Sequence, residues 1–272
     1  MGYQNMSIRV NKKKSIGKVL FIVEGSWTEP YILRRVFTTI FDYQVETKLR
    51  GKHYHKYNSK ENATSQVFVV NAEESNIINI RKDNQYLDKL FAELIENYDF
   101  NIDNAATYYI FDRDRESNKD EEFIENMLNV LVNSRDNVGY DRQGLLLLSY
   151  PSIESFTVSN FEKNSFDTRI DTGKELKKYA HQNNYNHQRI NEETLLFAVK
   201  EMLRAFDIVG EISLDVDNFS TDNKKIYDYE EEEFKSSKVY RLLGLLVIAL
   251  IDLGLIEIQE EYEKSDNRAG GT

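Results

Sequence analysis

The 272-residue chain has no cysteine, two prolines, one tryptophan and four histidines. Without a thiol there is no disulfide framework, no zinc–thiolate centre and no cysteine nucleophile. Long apolar runs are also missing. The basic stretch over residues 1–17 is followed by an apolar run that stops at Glu24, too short for a secretory leader. The most apolar window, residues 242–256, falls short of the ~20 residues that span a bilayer and contains Asp252. These absences predict a soluble, cytoplasmic protein with no membrane association. The chain is nevertheless 40% apolar, with seventeen tyrosines and fifteen phenylalanines, so it can fill a real core and is not disordered throughout.

The net charge of −11 conceals an asymmetry. Residues 1–60 carry twelve basic against four acidic residues, or +8, and the other 212 carry 23 against 42, or −19. Within the basic part, Arg50, Lys52, His53, His55, Lys56 and Lys60 interleave with Tyr54 and Tyr57. Positive charge that neutralises a sugar–phosphate backbone, alternating with rings on which bases stack, is the composition of a nucleic-acid-binding loop. A solvated polar loop is the plainer alternative.

Patterning along the first 160 residues alternates strand and helix. β-rich apolar runs at 19–23, 67–70, 107–111 and 145–148 read as buried strands. Ile32, Leu33, Val36, Phe37 and Ile40 form a helical stripe that starts near Thr28 as N-cap, with Glu29 and Pro30 in its first turn. Leu87, Leu90, Phe91, Leu94 and Ile95 form a second stripe, and Phe123, Met127, Leu128, Leu131 and Val132 a third. A polar loop is expected over 44–65. This alternation predicts a parallel α/β sheet flanked by helices over residues 1–160. Residues 161–272 are expected to form a mainly helical region, with helices near 174–179 and 192–206 and a short strand near 211–215. An apolar helix over 239–256 is expected to close the core or to serve as a homo-oligomer interface. The acidic stretch 228–233 reads as a solvated surface.

Acids fall where such a sheet places its functional crevice, just beyond the strand C-termini. The first strand leads into Glu24, the third into Asp112 and Asp114, and the fourth into Glu154. Alternation along an extended chain points Asp112 and Asp114 the same way and Arg113 the other. Glu29 joins them from the first helical turn, although an acid there is favoured by the helix dipole in any protein. Carboxylates held this close raise one another's pKa, and a divalent cation relieves the conflict. Oxygen ligands without cysteine and with few histidines suit Mg²⁺ or Mn²⁺. Such an ion polarises a phosphodiester for in-line displacement.

Val23-Glu24-Gly25-Ser26-Trp27-Thr28-Glu29 and Asp112-Arg113-Asp114, with the βαβ pattern between them, resemble a Toprim domain, and a third motif follows them, Ser149-Tyr150-Pro151-Ser152-Ile153-Glu154-Ser155-Phe156. The last is similar to the Ser-x-Pro-x-x-Glu-x-aromatic signature of RloB-like proteins, and OLD-family phage-defence nucleases are similar in the same places. The resemblance covers roughly residues 17–160. It implies a Toprim-like Rossmannoid sheet and a metal-dependent nuclease acting on RNA, tRNA included, or DNA, as effector of a bacterial anti-phage abortive-infection system. It also implies roles: Glu24 as metal ligand or general base, Asp112 and Asp114 as metal ligands, and Glu154 and Glu29 as ligands of the same or a second ion. Lys163, Lys174, Lys177 and Lys178 are all open as the lysine that some Toprim nucleases place near the scissile phosphate. No Gly-x-x-x-x-Gly-Lys-Ser/Thr sequence occurs, so an ATPase would be a separate partner. A non-catalytic nucleic-acid or nucleotide-binding module with a structural divalent metal is the alternative. An aspartyl phosphatase is a third reading, disfavoured because its Asp-x-Asp follows the first strand.

Overall fold

A computed structural model describes residues 6–46, 54–72, 84–101, 105–135 and 144–260. In chain order the elements are β1 (Met6–Val10), β2 (Lys18–Val23), α1 (Thr28–Arg35, continued by a π turn at Val36–Ile40), β3 (Tyr43–Val45), β4 (Tyr54–Ser59), β5 (Gln66–Asn71), α2 (Asn84–Tyr98) and β6 (Ala105–Asp112). There follow α3 (Glu121–Val130), β7 (Val132–Asn133), β8 (Gly144–Tyr150), α4 (Glu154–Ser159), β9 (Arg169–Ile170), α5 (Gly173–Gln182), α6 (Glu192–Val209), α7 (Phe219–Ser237), β10 (Tyr240–Arg241), β11 (Leu243–Gly244), α8 (Leu246–Asp252) and β12 (Ile256–Glu260).

The four apolar runs expected as strands lie within β2, β5, β6 and β8, side by side in the order β8-β6-β2-β5 and mutually parallel. Continuous runs such as Val19 to Val23 and Leu145 to Leu148 are buried along their whole length, because helices flank the sheet and no face is left for water. The sheet is mixed rather than parallel throughout, which corrects the sequence expectation. β4 pairs antiparallel with both β5 and β3 at one side, and β11 pairs antiparallel with β8 at the other. Within the polar loop expected over 44–65, β3 and β4 make residues 44–45 and 54–59 strand. Tyr54 and Tyr57, three positions apart on β4, fall on opposite faces of the strand. Tyr57 packs against Phe37 and donates to Pro30 O near α1, while Tyr54 donates to Glu93 on α2.

Beyond residue 160 the helices expected near 174–179 and 192–206 are α5 and α6. The strand expected at 211–215 does not form, and the apolar helix expected over 239–256 is confined to α8, between β11 and β12. Its apolar side chains, Leu246 to Leu250, are buried in the chain's own core. Asp252, which interrupts that window, accepts hydrogen bonds from Tyr108 and from Ser134 and pairs with Arg135 at 2.7 Å. One hydrophobic cluster joins Val19 to Val23 with Phe166, Leu195 to Phe206 and Leu245 to Ile256. β12 returns to pair with β1. Among the described residues no helix is long and apolar enough to cross a membrane.

Candidate active site

Strand order decides where the crevice opens. The chain leaves β2 for β5 on one side and then crosses to β6 on the other, so the C-terminal ends of β2 and β6 are the topological switch point. Glu24 and Asp112 stand there. Asp112 N donates to Glu24 Oε2 at 2.8 Å, and Asn118 Nδ2 donates to Asp112 O at 2.7 Å, tying the two strand ends together. α1 begins at Thr28, with Trp27 rather than Thr28 in the N-cap position. Its first turn turns Glu29 back, so that Oε1 accepts from Gly25 N at 2.9 Å. A Cβ on residue 25 would lie 2.3 Å from Glu29 Oε2, so glycine is what permits this approach.

Glu24, Glu29, Asp112 and Asp114 line one cavity of about 670 Å³ together with Trp27, Lys174, Lys177 and Lys178. Glu154, at the start of α4, borders it: Oε2 accepts from Ser152 at 2.7 Å and Oε1 lies 3.7 Å from Lys177 Nζ. Asp112 Oδ1 accepts from Ile153 N at 2.8 Å, which joins the β6 end to the turn before α4. Asp114 differs from the others, since both its oxygens hold backbone N–H groups, Oδ1 that of Glu116 and Oδ2 that of Gly173. Its place here is to fix the start of α5. Glu116 is exposed. Arg113 points the opposite way, as alternation requires, and is fully buried against Glu231.

Burial dominates the electrostatics. Loss of solvent pushes the Glu24 carboxyl up to about 7, opposed by its hydrogen bond from Asp112 N and reinforced by Glu29. Asp112 is held well above the ordinary aspartate range by burial and then by the charges of Glu24, Glu29 and Glu154. Burial likewise raises Glu29. Lys177 goes the other way from a buried amine: desolvation opposes its charge, but Glu154, Asp112 and Glu29 outweigh it and hold the ammonium above its usual range.

Among the described residues no group of three or more His, Asp or Glu side chains is arranged so that it could hold a metal ion. The side chains at hand are hard oxygen donors, the type that Mg²⁺ or Mn²⁺ takes. Glu24, Glu29 and Asp112 each have one oxygen pinned by a backbone N–H, and together they carry a charge conflict that such a cation relieves. Arg50, Lys52 and His53 lie outside the described residues. His55 and Lys56 do not line the cavity; Lys56 pairs with Glu46 at 3.0 Å and sits over the Phe68 ring, and Tyr57 is core. The nucleic-acid loop expected there is thus, in its described part, a packed strand. Three site features escaped the sequence reading: the pairing of Lys177 with Glu154, the Asn118 bridge and the exposed Trp27. The spacing of Lys174, Lys177 and Lys178 at i, i+3 and i+4 was a usable signal for a basic helix face. No family model, curated protein or solved structure matches this chain.

Proposed function

We propose that this protein is a divalent-cation-dependent nuclease built on a Toprim-type sheet, hydrolysing phosphodiester bonds in RNA or DNA. The observation that carries the reading is the gathering of Glu24, Glu29 and Asp112 at the switch point, with raised carboxyl pKa values, beside the cationic Lys177. The resemblance of the three sequence motifs to RloB-like and OLD-family proteins supports the same reaction and is the sole support for a role in anti-phage defence with a separate ATPase.

Glu24, Glu29 and Asp112 would hold Mg²⁺ or Mn²⁺, with Glu154 and Asp114 at the margin. The bound ion supplies the positive charge that polarises the phosphodiester and makes a neighbouring water more acidic. Lys177, kept cationic by its carboxylate neighbours, faces the charge that develops on phosphate oxygens. Lys174 and Lys178 on the same helix grip the strand backbone. Without the ion, burial and Glu29 hold the Glu24 carboxyl up at about 7, so loading the cation would release its proton.

The test is cleavage of labelled tRNA, single-stranded RNA and plasmid DNA with Mg²⁺ or Mn²⁺, beside Glu24→Gln and Asp112→Asn. Cutting that needs the cation and falls at least about a hundredfold in both variants is expected. Substrate binding with no cutting under any cation points instead to the non-catalytic binding module.

A further inference from the structure

The single tryptophan of the chain is 69% exposed, on the wall of the carboxylate cavity. A protein that buries most of its other large rings leaves its largest one in water at the site itself. Trp27 is held from one side. Its ring stacks on Tyr31, one helical turn along α1, at 6.1 Å between centroids and 25° between planes. Tyr31 stacks in turn on His187 at 6.1 Å and 11°. The three rings form a ladder whose last rung is exposed. Lys174 lines the same cavity, is exposed, and forms no ion pair among the described residues. A ligand that satisfies both features has a flat π surface and a nearby phosphate, which describes a nucleotide.

We infer that Trp27, backed by Tyr31 and His187, is a stacking platform for an unpaired base of the strand whose phosphate enters the carboxylate cavity, so that the site takes single-stranded nucleic acid. A base within a duplex has both faces covered by its neighbours and cannot use the platform without being extruded. The phosphate half of this inference rests on the function proposed above; the stacking half does not.

The lone tryptophan is its own reporter. The 272-residue chain in Mg²⁺ is titrated with short oligo(dT), oligo(U) and a blunt duplex of equal length, reading tryptophan emission, and strand integrity is read on a gel afterwards. Quenching by single strands but not by duplex is expected, with the two oligomers showing whether ribose or deoxyribose is preferred. Anisotropy of a labelled single strand should show affinity about tenfold or more weaker in Trp27→Ala and little changed in Trp27→Phe, as loss of one base–aromatic stack predicts. Equal quenching by duplex, no quenching by either oligomer, or unchanged affinity in Trp27→Ala overturns the platform. The two readings fail separately. A strand that quenches and stays whole removes the hydrolytic reading alone, whereas a strand that is cut with the same KM by Trp27→Ala removes the platform alone.

Discussion

At Gly25 one missing methyl group decides where a carboxylate sits, because a Cβ there would collide with Glu29 Oε2. Gly25→Ala should swing Glu29 away from Gly25 N and lower Mg²⁺ affinity about tenfold, read by calorimetry, with little change in cooperative unfolding. Unchanged affinity would place Glu29 outside the cation site. Glu24 gives a second expectation, from linkage. Its carboxyl titrates at about 7 in the folded chain against 4.5 ordinarily, so between those values the folded state holds the proton more tightly than the unfolded state. Stability is therefore fully present below about pH 4.5, falls as pH rises, and has lost on the order of 3 kcal/mol above 7 for this group alone. The melting temperature in chelator should drop between pH 5 and 8, and Mg²⁺ should restore it most at the alkaline end. A flat profile in chelator, or the same profile in Glu24→Gln, would remove this account. Glu24 was legible in the sequence because it follows a β-rich run, and Glu29 because it falls in the first turn of the helix that comes next. Lys177 was not, since the proximity of Glu154 that singles it out from Lys174 and Lys178 comes from packing α5 against α4.

Helix α7 shows how far an element can depart from its composition. Residues 228–233 look like solvated surface, yet Glu230 and Glu231 are buried while Asp228 and Glu232 are exposed. The helical period turns Glu230 and Glu231 inward with Tyr227; Glu230 accepts from Arg241 N at 3.0 Å, and the charges that make a buried Glu231 tolerable come from far away in sequence. Arg113 lies 2.7 Å from Glu231 Oε1, and Arg115 Nη2 donates to Glu231 Oε2. Arg113 also donates to Asn118 O at 2.9 Å. The residue between the two site aspartates is thus anchored to a helix more than a hundred positions later, which local patterning cannot reveal. Glu231→Ala leaves the Arg113 guanidinium buried without its carboxylate and should cost about 3–5 kcal/mol in denaturant unfolding. The double variant Arg113→Met, Glu231→Leu should recover most of that loss. A single-variant cost below about 1 kcal/mol would mean that water reaches the pair and that it does not brace the site.

Across the whole molecule the break in strand–helix alternation near residue 160 suggests a boundary, but the core continues through it. β11 adds two residues to the edge of β8, with Leu243 opposite Tyr150 and Gly244 opposite Ser149. Gly244 lets this strand lie against α4: a Cβ there would come within 2.9 Å of Phe156 N. Asn223 on α7 donates to Leu146 O at 2.6 Å in the middle of β8, and β12 covers β1. Two-residue strands and pairings a hundred positions apart leave no periodic trace, so the order of the central strands could be anticipated while the closing of the sheet could not. A fragment ending at residue 160 would expose the β8 edge, lose Glu231 from Arg113, and uncover the side chains that α6 and α8 bury. It should show no cooperative thermal transition and no Mg²⁺-induced shift, whereas the 272-residue chain should show both. A fragment that melts cooperatively and binds Mg²⁺ as tightly as the 272-residue chain would instead make the carboxylate site a property of the first 160 residues alone, and Arg113 a residue whose partner the site does not need.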